Sequence, residues 1–478
     1  MTVNLQSPIP NLQSPIPHRK PFLIAAFAAA LCLLVAVLAA LPAAGRAAPQ
    51  TQPPILFVIV DALRSDHVSG YGYARETTPN LDAMLADQGA RFVNATSTAP
   101  WTCPANTAMV TGRSPGRVGT NWHTFGTSIP ADEVTLAELL HEAGYYAAGF
   151  ASTYCIKGSL GFSQGFDHYD DTLATRPVEN KARGAEVNAR VFDWLDTEWA
   201  AHGGAQPLFL FVYYFDPHAW YDPLPPYDTW YDATYTGTVT PDVYGAGETV
   251  ISGDLTLSPR DLQHVMALYD GEIRYWDEQL GALLEHLDGM GLLDQMLVVL
   301  TSDHGEMFGE HGKWVHGGSL YEEVLRVPLL VRYPGVVASR TISTPVQNMD
   351  LMPTILDFAG IPLPGNLQAV SLLPLLAGET PTATRPIFSE VAAITDPTHP
   401  LYWTAPRVPL RSMRANDWKL IHPLDGSGDA LYALQAQSPY EGENLVQQEP
   451  ERAASMQGAL LDRFFPHRAY LPVMEGGE

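Results

Sequence analysis

From residue 53 onward the chain alternates short, wholly apolar runs with longer segments whose apolar residues recur every three or four positions. That alternation predicts an α/β fold, a mostly parallel sheet with helices on both faces. Three apolar runs matter most: ILFVIV at 55–60, LFLFVYYF at 208–215 and MLVVLT at 296–301. The first ends on Asp61, the second on Asp216, Pro217 and His218, and the third leads through Ser302 to Asp303, His304 and Gly305. Sites in parallel sheets form outside the carboxyl ends of the strands, so these acids and imidazoles are expected on one edge. A single Asp at a strand end is most simply a turn or capping residue. Three such cases with two histidines point instead to a metal site.

The helical segments carry clear punctuation. Thr78, Pro79 and Gly89 predict one helix, and Thr135 with Glu138 predicts a capping box on another that runs to Gly144. Between Leu262 and Leu287, apolar residues at 262, 265, 269, 273, 276, 280, 283, 284 and 287 keep the 3.6 period of a long amphipathic helix, read as core packing. The segment APWTCPANTAMVTGRSP, 99–115, places Pro104 in a helix first turn and Gly112 at its end. Thr102 then sits just before a short helix, its hydroxyl beside free backbone N–H groups and the positive end of the dipole. On this segment alone Thr102 reads more simply as a plain N-cap.

Upstream, NLQSPIP occurs twice in tandem, and His18, Arg19 and Lys20 precede an apolar run from Pro21 to Gly45. Small residues follow, suited to cleavage near Ala47 or Ala48. A positive region before a long apolar one predicts export, and the run is also long enough to span a bilayer. Cleaved signal and retained anchor both stand. With 52 acidic against 27 basic residues the net charge is −25, and removal of residues 1–48 makes it more negative still. Such a chain is a poor partner for nucleic acid or anionic lipid. Its five lysines are Lys20, Lys157, Lys181, Lys313 and Lys419. Beyond Cys32 in the leader only Cys103 and Cys155 remain, too few for a disulfide framework.

The stretches ILFVIVDALRSDHVSGYGYARETTPNLDAM, WTCPANTAMVTG, TLAELLHEAGY, FDPHAWYDP, YDGEIRYWDEQLGALLEHL, LTSDHGEMFGEHG, SLYEEVLRVPLLVRYPG, VQNMDLMPTILDFAG and the late WKLI…LYAL, in this order, resemble the sulfatase family of the alkaline phosphatase superfamily. The resemblance covers nearly everything from Pro54 to about Phe465. It implies an alkaline-phosphatase-like sandwich, a large mostly parallel sheet between helices at 53–385, and a smaller C-terminal part at 386–478 with an antiparallel sheet and a helix. By motif, Asp61 corresponds to the first metal-binding acid, Asp303 and His304 to the later pair, and His218 to a substrate-contacting histidine.

The departures from the family pattern bear on the chemistry. Counting back from Thr111 and Gly112 puts the nucleophile position at Thr102 and the family's arginine at Asn106. Thr102 cannot become formylglycine, and Cys103, followed by Pro104, does not fit the pattern for that conversion. Ala62 occupies the second acid of the family's Asp-Asp pair, the family's GKWHLG segment is missing, and His316 lies near a position where many sulfatases keep a substrate lysine.

A threonine has no aldehyde-forming exit from a sulfated intermediate, whereas a threonine alkoxide can attack phosphorus and be released by water. The expectation is therefore a metal-dependent hydrolase of phosphodiesters or phosphonate monoesters. In it Thr102 serves as nucleophile and metal ligand, and Asp61, Asp303 and His304 hold one divalent ion, Mn, Zn or Ca. His218 or His316 protonates the leaving oxygen, and Asn106 and Lys313 contact substrate. A second ion held by Asp216, His218 and His316 is disfavoured by their spacing. The expected substrate is an anionic small molecule or a lipid or glycan ester, with residues 220–253 on the pocket rim. Three alternatives remain: a sulfuric ester hydrolase, a membrane-associated head-group phosphotransferase, and a non-catalytic binding protein on the same scaffold.

Overall fold

The computed structural model describes residues 52–466 apart from 87, 121–126, 177–179, 241–255, 382, 384, 395–404 and 436–438. The expected leader and the end of the expected pocket rim lie outside the described residues. Among the described residues no helix is long and apolar enough to cross a membrane.

The expected α/β architecture is present. Eight strands of the main sheet run in chain order as β1 (Ile55–Val60), β2 (Ala90–Thr96), β3 (Tyr146–Phe150), β4 (His168–Asp170), β5 (Leu208–Tyr214), β6 (Leu297–Ser302), β9 (Arg326–Arg332) and β10 (Arg340–Ile342), with β7 (Met307–Phe308) and β8 (Trp314–Val315) forming a separate hairpin. Their spatial order is β10-β2-β9-β6-β1-β5-β3-β4, and β11 (Val346–Gln347) also pairs with β2. β9 is antiparallel to both of its neighbours, whereas the central trio β6-β1-β5 is parallel. The alternation of side chains along a strand divides β1 between two cores. Leu56, Val58 and Val60 face the core that receives the long helix, while Ile55, Phe57 and Ile59 face the other.

Helix α1 (Thr102–Thr111) begins at Thr102, α2 (Leu136–Glu142) covers one face, and α3 (Pro259–Gly289) covers the other. The expected capping box holds at Thr135 and Glu138. The expected helix after Thr78 is present over residues 79–86, α-helical at Pro79–Leu81 and widening to π-type turns at Asp82–Ala86, but the Thr78 side chain bonds Ser69 and Asp82 instead of a helix N–H. Of the periodic residues of α3, all but Leu262 are buried.

A second, antiparallel sheet follows, β12 (Ile387–Val391), β13 (Leu410–Ala415), β14 (Trp418–Pro423) and β15 (Ala430–Ala433), with α4 (Pro450–Phe464) on one face. Its other face packs Ile421 and Tyr432 against Met307, Leu320, Val324 and Leu325, just beyond the carboxyl edge of the main sheet.

Candidate active site

The register of the parallel trio builds the site. Val60 stands opposite Tyr214 on one side and Ser302 on the other, so the residues after these strand ends emerge side by side. Asp61 extends the ladder by one bond, its N–H donating to Tyr214 O at 2.9 Å. Ala62 then takes a left-handed conformation with φ of 57°, which costs a non-glycine residue roughly 1 kcal/mol or more. The turn aims the Ala62 N–H at Asp303 Oδ1, 3.3 Å away. At Ala62, where the resemblance implies a second acid, the chain supplies a backbone N–H instead.

α1 starts one residue earlier than expected, so Thr102 is its first residue and the extended Trp101 precedes it. Gly112 ends it in the left-handed region at φ 63°, where an added Cβ would lie 2.9 Å from Leu367. Pro104 has no N–H and the Ala105 N–H donates to Trp101 O at 3.2 Å, so the open end of the helix consists of the Thr102 and Cys103 N–H groups, which have no described hydrogen bond. A Cys103–Cys155 disulfide ties this turn to the loop after β3, a single bond between the two cysteines that were read as too few for a framework.

Asp61, Asp303 and His304 are sealed from solvent, and one donor atom from each lies within 4.8 Å of the others. His304 Nδ1–H donates to Gly305 O at 2.8 Å, which leaves the Nε2 lone pair facing Thr102 Oγ1 at 3.2 Å and Asp61 Oδ1 at 3.4 Å. Gly305 is required here because an added Cβ would fall 2.2 Å from Glu323 O. Asp303 Oδ2 accepts from Tyr213 O–H at 2.8 Å and from Asn106 Nδ2 at 3.1 Å. Both oxygens of Asp61 are buried without a hydrogen-bond partner. Burial, followed by the charge of Asp303, pushes the Asp61 carboxyl well up, and burial pushes Asp303 up to about 6. Burial holds His304 neutral. Two buried acids, one with both oxygens orphaned, and an imidazole with a free lone pair form a donor set suited to a divalent cation.

The other expected residues are placed differently. Asn106 Nδ2, the expected donor to substrate, is spent on Thr102 O at 2.8 Å and on Asp303, while Oδ1 is buried with no described hydrogen-bond partner. Asp216 is drawn away from the cluster, accepting from Gly184 N at 2.7 Å and facing Lys181 and Arg183. Lys313 is exposed on the β7–β8 turn, with no described hydrogen bond or ion pair to the cluster.

His316 and His218 stand at the mouth, their ring centroids 4.8 Å apart, and His316 lies 4.4 Å from His304. His316 Nδ1 pairs with Glu306 Oε1 at 3.0 Å, and Tyr221 O–H donates to the other oxygen of Glu306. Val315, a β-branched residue at φ 54°, turns the chain immediately before His316. Burial opposes a charge on His316, but Glu306 prevails and raises it. Burial lowers His218, whose Nδ1–H donates to Ala219 O.

Sequence reasoning missed Tyr213, Glu306 and the disulfide. Tyr213 carries the only hydroxyl besides Tyr214 in an apolar run, and two cysteines left in a chain read as exported are themselves a signal.

The family described as "Sulfatase" matches residues 53–361, and "N-sulphoglucosamine sulphohydrolase, C-terminal" matches 309–465. An ulvan-active sulfatase of Formosa agariphila is 24% identical over 422 residues, 83% of this chain and 77% of the relative. An N-acetylglucosamine-6-O-sulfatase of Bacteroides thetaiotaomicron is 28% identical over 430 residues, 73% of this chain and 76% of the relative. A structure solved in complex with its substrate D-glucosamine-2-N,6-O-disulfate superposes with a TM-score of 0.73 at 22% identity, covering 89% of this chain and all of the other. These findings correct the expectation of phosphodiester or phosphonate hydrolysis in favour of the sulfuric ester alternative. Sulfate and phosphate esters present similar tetrahedral oxyanions, so a threonine at the nucleophile position was not enough to choose between them.

Proposed function

We propose that this chain, which belongs to the sulfatase family of ester hydrolases, cleaves the sulfate ester of an anionic substrate, a sulfated sugar, with an unmodified Thr102 at the reacting centre. The observation that carries this reading is the convergence of Asp61, Asp303 and His304 from adjacent parallel strand ends onto Thr102. Sulfated sugars are favoured because the relatives just named act on sulfated glycans or glucosamine sulfates.

Asp61, Asp303 and His304, with the Thr102 hydroxyl beside them, would hold a divalent cation, which when bound supplies positive charge opposite the sulfate oxygens. Asn106 and Tyr213 fix the Asp303 carboxylate, and the Thr102 and Cys103 N–H groups at the start of α1 orient the sulfate. Thr102 Oγ attacks sulfur as the ester S–O bond breaks. His316, kept protonated by Glu306, gives its proton to the leaving oxygen, and neutral His218 accepts the Thr102 proton. Water then attacks sulfur and the Thr102 Oγ–S bond breaks. The water proton returns to His316 and the His218 proton to Thr102, so that ester and water become alcohol and hydrogensulfate. The basic leader pattern and the Cys103–Cys155 bond support a location outside the cytoplasm.

The test compares kcat/KM on 4-methylumbelliferyl sulfate and glucosamine 6-sulfate with that on aryl phosphate diesters, monoesters and phosphonates, for metal-supplemented wild type and Thr102→Ala. Sulfate esters should be the best substrates, and the variant should lose on the order of 10³-fold or more. Faster turnover of any phosphorus ester, or an active Thr102→Ala protein, would overturn the reading.

A further inference from the structure

A second group of metal-type ligands lies outside the catalytic cluster. His311 sits on the β7–β8 turn, Glu323 follows in the turn at Glu322–Leu325, and Glu441 comes from the C-terminal part, with one donor atom of each inside a 4.8 Å set. His311 Nε2 is 3.3 Å from Glu323 Oε1. The ring is fixed by stacking on Tyr321 at 3.9 Å, in a residue whose φ is 52°.

The neighbouring charges are already committed. Lys419 pairs with Glu322 at 2.7 Å and Glu441 at 2.6 Å, Arg414 pairs with Glu322, and Arg64 is taken by Asp66 and Glu310. Among the described residues only His311 pairs with Glu323, which is 5% exposed and whose Oε2 is buried with no hydrogen-bond partner. A carboxylate oxygen orphaned in this way beside a second carboxylate needs either a proton or a cation.

We propose that His311, Glu323 and Glu441 form a second, structural site for a divalent transition cation such as Zn²⁺, joining the hairpin that leads to His316 with the C-terminal part. One imidazole nitrogen and two carboxylates match the ligand preferences of such an ion, and the exposed edge at His311 leaves a position for water. The closed alternative is a His311–Glu323 ion pair with a shared proton and no metal.

The test is zinc content by mass spectrometry and thermal melting after dialysis against buffered free Zn²⁺. An Asp61→Asn/Asp303→Asn protein, which lacks the catalytic ligands, provides the background. That protein should retain one zinc per chain and melt higher with zinc than without. Adding Glu323→Gln, or separately His311→Ala at the exposed turn, should abolish both effects or weaken binding at least about 10-fold, with the circular dichroism spectrum unchanged. A background protein that binds no zinc, or one whose zinc content is unaffected by both substitutions, would overturn the proposal.

Discussion

Glu322 and Asp61 are both sealed from water, and their surroundings treat them in opposite ways. Glu322 accepts from Lys419 at 2.7 Å and Arg414 at 3.1 Å, and although burial opposes ionisation these cations hold its carboxyl below its ordinary range. Among the described residues Asp61 has no cationic side chain within ion-pair reach except the neutral-leaning His304 and no hydrogen-bond partner for either oxygen, and its carboxyl is driven up. A buried carboxylate loses several kcal/mol of hydration, and something must replace it. At Glu322 the chain supplies the replacement from WKLI in the second sheet, so the charge knot ties the sheets together. At Asp61 the described residues place no such cation against the carboxylate, which leaves an attraction for one from outside.

The contrast can be broken from its structural side first. Lys419→Met strands Glu322 and Glu441 together and should cost about 3–5 kcal/mol in urea unfolding, while the folded fraction keeps its kcat. A loss below about 1 kcal/mol would mean that the knot is not what holds the two sheets. Tyr213→Phe acts on the other cluster and should scarcely alter stability with the metal bound. It should weaken cation binding about 10-fold by titration calorimetry, because Asp303 loses a donor at 2.8 Å.

The smallest effect concerns Asp66. Burial opposes its ionisation, but two hydrogen bonds from Arg64 hold it well below the ordinary carboxylate range. A depressed folded-state value contributes stability that is present above the unfolded value near 4 and lost as pH falls below it. Asp66→Asn should therefore flatten the acid limb of the stability profile by roughly 1 kcal/mol and change little at pH 8.

The part of the site that lies on strand ends was legible in the sequence. Apolar runs ending on Asp61 and Asp303-His304 can place those side chains together only if the strands are parallel neighbours, and the long buried runs indicate a parallel sheet covered on both faces. What was not legible depends on direction. Asn106 was expected to face the substrate, but its position four residues after Thr102 on a helix lets it bond Thr102 O and brace Asp303. Asp216 stands at a strand end like Asp61, yet Lys181 and Arg183, more than 30 residues upstream, turn it into a structural acid. The left-handed Ala62 and Val315 carry no residue signature, since neither is glycine or asparagine. The ester chosen was misread for a different reason: the chemistry of one nucleophile was weighed above the kinship of the whole chain.

Asp61 is buried without a compensating cation among the described residues. The most direct measurement is the unfolding free energy of metal-stripped wild type and metal-stripped Asp61→Asn at pH 8, each repeated with a saturating divalent ion. The account predicts that the stripped variant is the more stable by about 1–3 kcal/mol and that the ion stabilises wild type far more than the variant. A stripped wild type at least as stable as Asp61→Asn, with no response to Mn²⁺, Zn²⁺ or Ca²⁺, would contradict it.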